Sequence, residues 1–287
     1  MLGSYLLAGE EVNFKRLLLL GILLRGCLFF FEPNWSEDGA RFLWDGELLR
    51  QGQNPYQMTP AQVQEQLGAG EAVYLTQLFE ELNSPHYYSV YPPLNQVLFW
   101  GAAQFAQGQL EKGYLALRLL LLLGEVGVFS LLCWLLARFG LPQKQVIFYW
   151  FNPLVILEVI GNLHFEGLVL FFLVASLANM SRNKLGLSGM FWGLAIGMKL
   201  LPMLFAPSFL FWKQSRKSLG FWGMAIGIGL LCFLPLALGG AWQNFFQSLQ
   251  LYQGKFEFNA SVYYLLREVG NWLVGIPLKY SIRYKFF

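Results

Sequence analysis

The stretch Tyr114–Ala137, YLALRLLLLLGEVGVFSLLCWLLA, decides the fold class of this chain. Its only charged residues are Arg118 and Glu125, and nearly every other position is apolar. A helix that crosses a bilayer needs about 20 predominantly apolar residues. The stretch therefore predicts a transmembrane helix, and the rest of the chain can be read outward from it.

Further apolar runs flank this stretch on both sides. They are Phe14–Phe31, Leu94–Phe105, Val146–Ile160, Leu168–Met180, Leu185–Met198, Leu201–Trp212 and Leu219–Leu238. Charged residues make up only 13% of the chain, against about 25% in average soluble domains. We therefore expect an all-α, polytopic bundle of about seven or eight spans. The net charge of +3 is small, and no basic surface interleaved with aromatics indicates nucleic acid as a partner.

Charge distribution predicts the orientation of this bundle. Lys and Arg concentrate in the short connections at 138–144, 182–184 and 213–217, which are expected to be cytoplasmic. The segment 32–93 carries nine of the chain's seventeen acids and should be external. We expect one membrane domain over 1–287, in a bacterial inner or plasma membrane. It comprises a first span (14–31), an external catalytic loop (32–93), a helical bundle (94–238), and an external segment with an incomplete C-terminal part (239–287).

One conflict arises in this topology. Three apolar segments separate the 32–93 loop from the turn at His164, so three full crossings would place the two on opposite sides. The basic-loop rule places them on the same side. Either the short run Leu94–Phe105 is re-entrant or does not cross fully, or the connection at Arg138 breaks the rule.

The external loop holds the first group of candidate functional residues. A helix over Asp38–Gln51 would place Asp38, Arg41 and Asp45 on one face, because residues three and four apart are helix neighbours. Its acidic stripe and apolar remainder predict that it lies flat at the membrane interface. A second helix is expected over Ala61–Leu67. Asp38 or its neighbour Glu37 could act as a general base toward a hydroxyl, or simply cap the helix as a solvated charge.

A second group of polar residues lies within or beside the apolar runs, where polar groups are costly. His164 and Glu166 could bind a phosphate, hold a metal or orient a second acid, or form an ordinary polar turn. Lys199 could contact a lipid phosphate, or snorkel to the interface. Similar cases are Arg25, Arg118, Glu125 and Glu158. Arg118 with Glu125, and Glu158 with some partner, could simply pair inside the bundle. The spacing of His and Cys residues does not indicate a zinc site.

No nucleotide-binding motif or soluble nucleotide domain occurs in the sequence. An activated substrate would therefore have to come from the membrane. This favours a lipid-linked donor if the chain is an enzyme.

Several ordered stretches resemble the GT-C class of membrane glycosyltransferases, and bacterial polyprenol-phosphate-mannose-dependent mannosyltransferases in particular. They are Asp38–Gly46, Gly52–Tyr56, Tyr91–Gln96, Asn152-Pro153, Glu158–Glu166, Lys199–Pro202 and Phe256–Tyr263. The resemblance runs from about residue 14 to about residue 270.

This resemblance implies a GT-C helical core with an interfacial first loop. It also implies an enzyme that transfers a sugar, expected to be mannose, from a polyprenyl-phosphate donor to a lipid or glycan acceptor, with inversion. The catalytic acid would be Asp38, with Glu37 as the competitor. The substrate-binding residues would be Arg41, Asp45, Tyr91, His164, Glu166 and Lys199. No cofactor is required, although the acids could accommodate a divalent metal. A transporter or lipid flippase, or a non-catalytic membrane subunit, remains an alternative on the residues alone.

Overall fold

The computed structural model describes residues 13–33, 36, 38–67, 73–211, 218–255 and 269. Every regular element in these ranges is helical, which confirms the all-α prediction there. The α-helices are α1 (Phe14–Cys27), α2 (Asp38–Arg50), α3 (Pro60–Gln66), α4 (Val73–Glu80), α5 (Pro93–Ala106), α6 (Leu110–Arg138), α7 (Ile147–Trp150), α8 (Pro153–Val155), α9 (Glu166–Ser181), α10 (Leu185–Met198), α11 (Ala206–Phe211), α12 (Leu219–Leu238) and α13 (Trp242–Lys255). Three 3-10 segments, Leu28–Phe30, Gln143–Val146 and Leu201–Phe205, and a π-helical turn, Ile156–Gly161, complete the helical elements.

Two of these helices, α6 and α12, are long and apolar enough to cross a membrane. The segments Pro153–Gly161 and Glu166–Ser181 form a pair bent by 115°, which raises the number of candidate spans in the described ranges to three if the pair is one span. Apolar side chains point outward from these helices; Leu123, for example, is 72% exposed and Leu230 is 69% exposed. Such surface suits lipid rather than water, so this is a membrane protein. The expected seven or eight spans are not confirmed, because only two or three spans in the described ranges meet the requirements of length and apolar composition.

The helical bundle has two ends, which can be distinguished by the contacts made there. At the first, which we call the upper end, the N-terminal part of α6 meets the segment after α1, because Arg118 donates to the carbonyls of Phe29 and Phe31. At the lower end, the Arg138 guanidinium donates to the Ser181 carbonyl over 3.5 Å. Arg182 also lies at the lower end and stacks on Trp134.

Helix α5 packs along α2 and also contacts α6, α10 and α12. Its first turn contacts α2 where Gln96 donates to Asp45, and its middle contacts α2 where the Phe99 carbonyl approaches Gly46. The chain then enters α6, where Gly113 packs against Leu43 of the same helix α2. Both ends of α5 thus lie near α2 at the upper end.

Helix α2 has no apolar face free to lie on a membrane surface, because its apolar residues pack against other helices of the protein. Every residue from Gly39 to Leu48 is buried, since α2 packs against α4, α5 and α6. Its polar stripe can be buried because Arg41 and Asp45 form an internal ion pair. The contact with α5 is close at Gly46, where a Cβ atom would lie 2.2 Å from the Phe99 carbonyl oxygen. Glycine there allows the two backbones to approach.

Arg118 and Glu125, which could have paired with each other, have different partners. Glu125 is fully buried and pairs instead with Arg25 of α1, at 2.9 Å between Nη2 and Oε2. Tyr149 donates a second hydrogen bond to this carboxylate over 2.5 Å. Arg25 also lies over the Trp150 ring and donates to the Trp150 carbonyl. These contacts join α1, α6 and α7 below the upper end, in the interior where an unpaired charge would be costly.

Candidate functional site

Asp38 begins α2 at the upper end, and its carboxylate is 37% exposed. The Tyr91 hydroxyl donates to Oδ1 over 3.0 Å, and the Asp38 backbone N–H donates to Ser36 Oγ over 3.3 Å. A carboxylate in the first turn is also stabilised by the positive end of the helix dipole. Asp38 is therefore fixed in place but open to an incoming molecule. Its neighbour Glu37, the competing candidate base, lies outside the described residues.

An aromatic cluster supports Asp38 and its partner Tyr91 from below. The rings of Phe42 and Phe99 are stacked at 4.5 Å, with an interplanar angle of 14°. Tyr91 packs edge-on against Phe42 at 4.9 Å, and Phe165 packs edge-on against Phe42 at 5.2 Å. These edge-to-face arrangements are favourable for aromatic pairs. The cluster joins α2, α5 and the turn before α9, which are the three elements that carry the site.

His164 reaches Asp38 from a distant part of the chain. Its Nε2 lies 3.8 Å from Asp38 Oδ2 and 3.3 Å from Ser36 Oγ. Its Nδ1 lies 2.8 Å from Glu158 Oε2. The imidazole thus stands between two carboxylates, with one ring nitrogen facing each. The sequence singled out His164 but expected Glu158 only to pair inside the bundle.

Glu166 and Lys199 form an ion pair beside this group. Both side chains are about half exposed, at 54% and 47%. Lys199 follows the last residue of α10, and the preceding carbonyl, that of Met198, accepts a 2.8 Å hydrogen bond from Asn95 of α5. The ammonium therefore lies at the upper end with Asp38 and His164, and Glu166 holds it there.

Arg41 and Asp45 lie deeper than the other sequence-predicted site residues. Arg41 donates to Asp45 over 2.9 Å and to the carbonyls of Ser84 and Tyr87. Asp45 also accepts hydrogen bonds from Ser89 and Gln96. With Arg41 4% exposed and Asp45 fully buried, these two do not lie on the open surface around Asp38.

The buried network around Asp45 is connected to Asp38 through Tyr56 and Tyr91. The Tyr56 hydroxyl donates to the Tyr91 carbonyl over 2.5 Å. Burial, and secondarily the charge of Asp45, raise the pKa of Tyr56 well above its ordinary value. The phenol therefore stays protonated and keeps donating to the segment that carries Tyr91.

Sequence reasoning also missed the role of Arg118. Besides Phe29 and Phe31, its guanidinium donates to the Ile160 carbonyl over 3.2 Å. Phe31 precedes Asp38 by a short segment, and Ile160 lies four residues before His164. One buried cation thus ties together the two segments that carry the site. Clusters of carbonyl groups around an arginine leave no pattern in a single sequence, so no signal could have identified it.

In the part of the chain that the structure describes, no group of three or more His, Cys, Asp or Glu side chains is arranged to bind a metal ion. Around His164 the geometry explains this, since the two carboxylates contact opposite ring nitrogens rather than a common point. The arrangement suits proton transfer along a line of groups.

An open carboxylate, an imidazole and an ion pair thus lie at one end of an apolar helical bundle. A family model described as "Alpha-(1->6)-mannopyranosyltransferase, N-terminal domain" matches residues 2–214. No match was found among curated proteins or among solved structures. The family match includes Asp38, Tyr91, Glu158, His164 and Lys199, and it covers most of the chain. This protein therefore belongs to the family of alpha-(1->6)-mannopyranosyltransferase N-terminal domains.

Proposed function

We propose that this protein transfers mannose from a polyprenyl-phosphate donor to a hydroxyl of a lipid or glycan acceptor, with inversion at the anomeric carbon and with Asp38 as general base. Membership of a mannosyltransferase family supports the sugar and the reaction class. The observation that carries the proposal is the position of Asp38, a half-exposed carboxylate held by Tyr91 and faced by His164 at the upper end of the bundle.

In the proposed reaction, the acceptor oxygen attacks the anomeric carbon while Asp38 removes its proton. The bond between that carbon and the phosphate oxygen breaks, and its electron pair leaves with the lipid phosphate. General-base assistance of this kind is worth roughly 10²–10⁴-fold. The phosphate monoester is a competent leaving group without a general acid, so one exposed carboxylate meets the need for acid–base chemistry.

A cation beside the departing phosphate would stabilise its increasing charge. Lys199 is the candidate that the arrangement favours, because its side chain is about half exposed whereas Arg41 is buried in its own network. Glu166 would keep the ammonium in place until the phosphate binds. Arg41 and Asp45 would then act as positioning residues, through Tyr56 and Tyr91, rather than by touching the substrate.

An apolar cavity of about 460 Å³ supports a lipid-linked donor. It lies between α10, α12 and α13, and its walls include Leu200, Met203, Phe233 and Trp242. Leu200, one of the lining residues, directly follows Lys199 in the chain. Burial of prenyl units in such a cavity is favourable, at about 25 cal/mol for each Å² of apolar surface removed from water.

The upper end would face the outside of the cell. Basic residues at 138, 144, 182 and 184 flank the opposite connections, as the positive-inside rule requires for a cytoplasmic end. The acidic 32–93 segment would then contribute Asp38 from the external side, where lipid-linked sugars do not compete with nucleotide sugars.

The proposal is tested with membranes that contain this protein, supplied with radiolabelled polyprenyl-phosphate mannose or with a labelled nucleotide mannose. We expect transfer to extracted lipid or glycan acceptors from the lipid-linked donor only, with an anomeric configuration opposite to that of the donor. Membranes without the protein are the control. Transfer from the nucleotide donor, or retention of configuration, would refute the proposed mechanism.

A further inference from the structure

We infer that Glu158 is a positioning residue that fixes the tautomer of His164, so that His164 Nε2 can take up the proton that Asp38 removes from the acceptor. This inference rests on the proposed function for its chemical meaning. Its structural content is independent of that function, since it concerns which ring nitrogen of His164 carries the hydrogen.

The distances establish the order of the three groups. Glu158 Oε2 lies 2.8 Å from His164 Nδ1, whereas Asp38 Oδ2 lies 3.8 Å from His164 Nε2. A carboxylate accepts hydrogen bonds and does not donate them. Nδ1 must therefore carry the hydrogen, and in the neutral ring Nε2 is left with a lone pair directed toward Ser36 and Asp38. Which ring nitrogen is protonated is commonly set by the partner of the other one.

The backbone around Glu158 is shaped to make this contact. Glu158 lies in the π-helical turn Ile156–Gly161, and such turns occur frequently at functional sites. The Asn162 amide N–H then donates to the Leu157 carbonyl and the His164 amide N–H to the Glu158 carbonyl, at 2.8 and 3.1 Å. These wide turns fold the chain back, so that His164 lies over Glu158.

The residue between them is held in an unfavourable conformation. Leu163 has φ of +62° and is completely buried. A bulky side chain rarely adopts the left-handed region, because that conformation is strained, and residues held in it cluster at functional sites. The left-handed turn at Leu163 reverses the chain just before His164. The backbone is therefore strained at Leu163, and this strained turn brings His164 into contact with Glu158.

A second contact holds the same carboxylate. The Asn162 side-chain amide lies 3.4 Å from Glu158 Oε2, the oxygen that faces His164. Arg118 fixes the carbonyl of Ile160 between these residues. The His164 side chain is 31% exposed, so water can reach the imidazole and carry the proton away.

The proposed proton path balances without any further reactant. The acceptor hydroxyl gives its proton to the Asp38 carboxylate as the new glycosidic bond forms. Asp38 then passes the proton to His164 Nε2, which makes an imidazolium whose charge is balanced by Glu158. Release of the Nε2 proton to water restores the neutral ring and its original tautomer.

The chain offers an unusually clear test, because it contains only two histidines, His86 and His164. The protein would be labelled with ¹⁵N-histidine in nanodiscs and its imidazole nitrogens measured by NMR at about pH 8.5, where ordinary imidazoles are neutral. We expect the Nδ1–H tautomer for His164 in the wild type. In Glu158→Leu it should shift toward the Nε2–H form, while the exposed His86 stays unchanged as an internal control.

Glu158→Gln separates the hydrogen bond from the charge, since its amide oxygen can still accept from Nδ1. It should keep the wild-type tautomer. Transfer activity should fall about 10–100-fold in Glu158→Leu through kcat, with KM unchanged, and less in Glu158→Gln. An Nε2–H tautomer in the wild type, or the same His164 spectrum in Glu158→Leu, would overturn the inference. The NMR result decides this even if the wild type transfers no mannose, an outcome that would refute only the proposed function.

Discussion

Replacement of Arg118 by methionine should separate stability from activity in this protein. The guanidinium is 2% exposed and donates to the carbonyls of Phe29, Phe31 and Ile160. Methionine has a similar length and good helix propensity but donates nothing. The Phe31 carbonyl can reach solvent, because Phe31 is 62% exposed, whereas Ile160 is fully buried.

The stability effect follows from this difference. One buried carbonyl left without a donor costs roughly 1–3 kcal/mol, which corresponds to an apparent melting temperature lower by roughly 3–10 °C. The activity effect should be larger, because Arg118 ties the segment before Asp38 to the segment before His164. Misplacement of reacting groups by about 1 Å can cost about 10²-fold in rate.

The assay combines thermal unfolding in detergent with mannose transfer at a temperature well below the transition. The matched control is Arg182→Met, since Arg182 is an exposed guanidinium that stacks on Trp134 at the lower end. We expect Arg182→Met to retain wild-type transfer and to lose at most about 1 kcal/mol. The reasoning is refuted if Arg118→Met is folded, destabilised as expected, and as active as the wild type.

Three further predictions concern the fold that supports the site. Glu125→Gln leaves Arg25 as a buried charge without its counter-ion and should destabilise the protein by roughly 3–5 kcal/mol. The double variant Arg25→Met with Glu125→Leu should recover most of that loss. Equal unfolding temperatures for the single and double variants would contradict this. Gly46→Ala places a methyl group 2.2 Å from the Phe99 carbonyl oxygen and should cost roughly 1–3 kcal/mol, while Gly101→Ala, which meets nothing within 4 Å in α5, should be neutral or slightly stabilising. Burial raises the pKa of Tyr56 well above the ordinary tyrosine value of about 10, so Tyr56 loses its proton on unfolding at high pH. Stability should therefore be fully present below about pH 10 and fall above it. Unfolding temperatures at pH 9 and 11 should show a smaller fall in Tyr56→Phe.

Local patterns in the sequence predicted most of the helices, including some boundaries. The apolar runs Leu185–Met198 and Leu219–Leu238 coincide with α10 and α12. In the loop, Asp38–Gln51 became α2 and Ala61–Leu67 became α3 with shifts of one residue. Gly52 ends α2 with φ of +78°, a conformation that glycine tolerates. These features depend on residues that are close in sequence, so periodicity and turn residues are sufficient.

Contacts between distant segments could not be read in the same way. The spacing of Arg41 and Asp45 predicted that they share a face, but not that the face would be buried against Ser89 and Gln96. Glu125 had a basic neighbour, Arg118, seven residues away, yet pairs with Arg25, 100 residues away. Similarly, Glu158 depends on a π-helical turn and a left-handed leucine that no pattern signals. Such pairings follow from tertiary packing.

The most direct test of the central claim is the transfer rate of Asp38→Asn in a single turnover from polyprenyl-phosphate mannose. Asparagine keeps the shape and can still accept the Tyr91 hydrogen bond, but it cannot take a proton. Glu65→Gln serves as the control, since Glu65 is an exposed acid on α3 in the same external loop. With equal amounts of inserted protein, we expect a rate about 10²–10⁴-fold below that of the wild type and the control. A wild-type rate in Asp38→Asn would show that Asp38 is not the base, and would contradict the account.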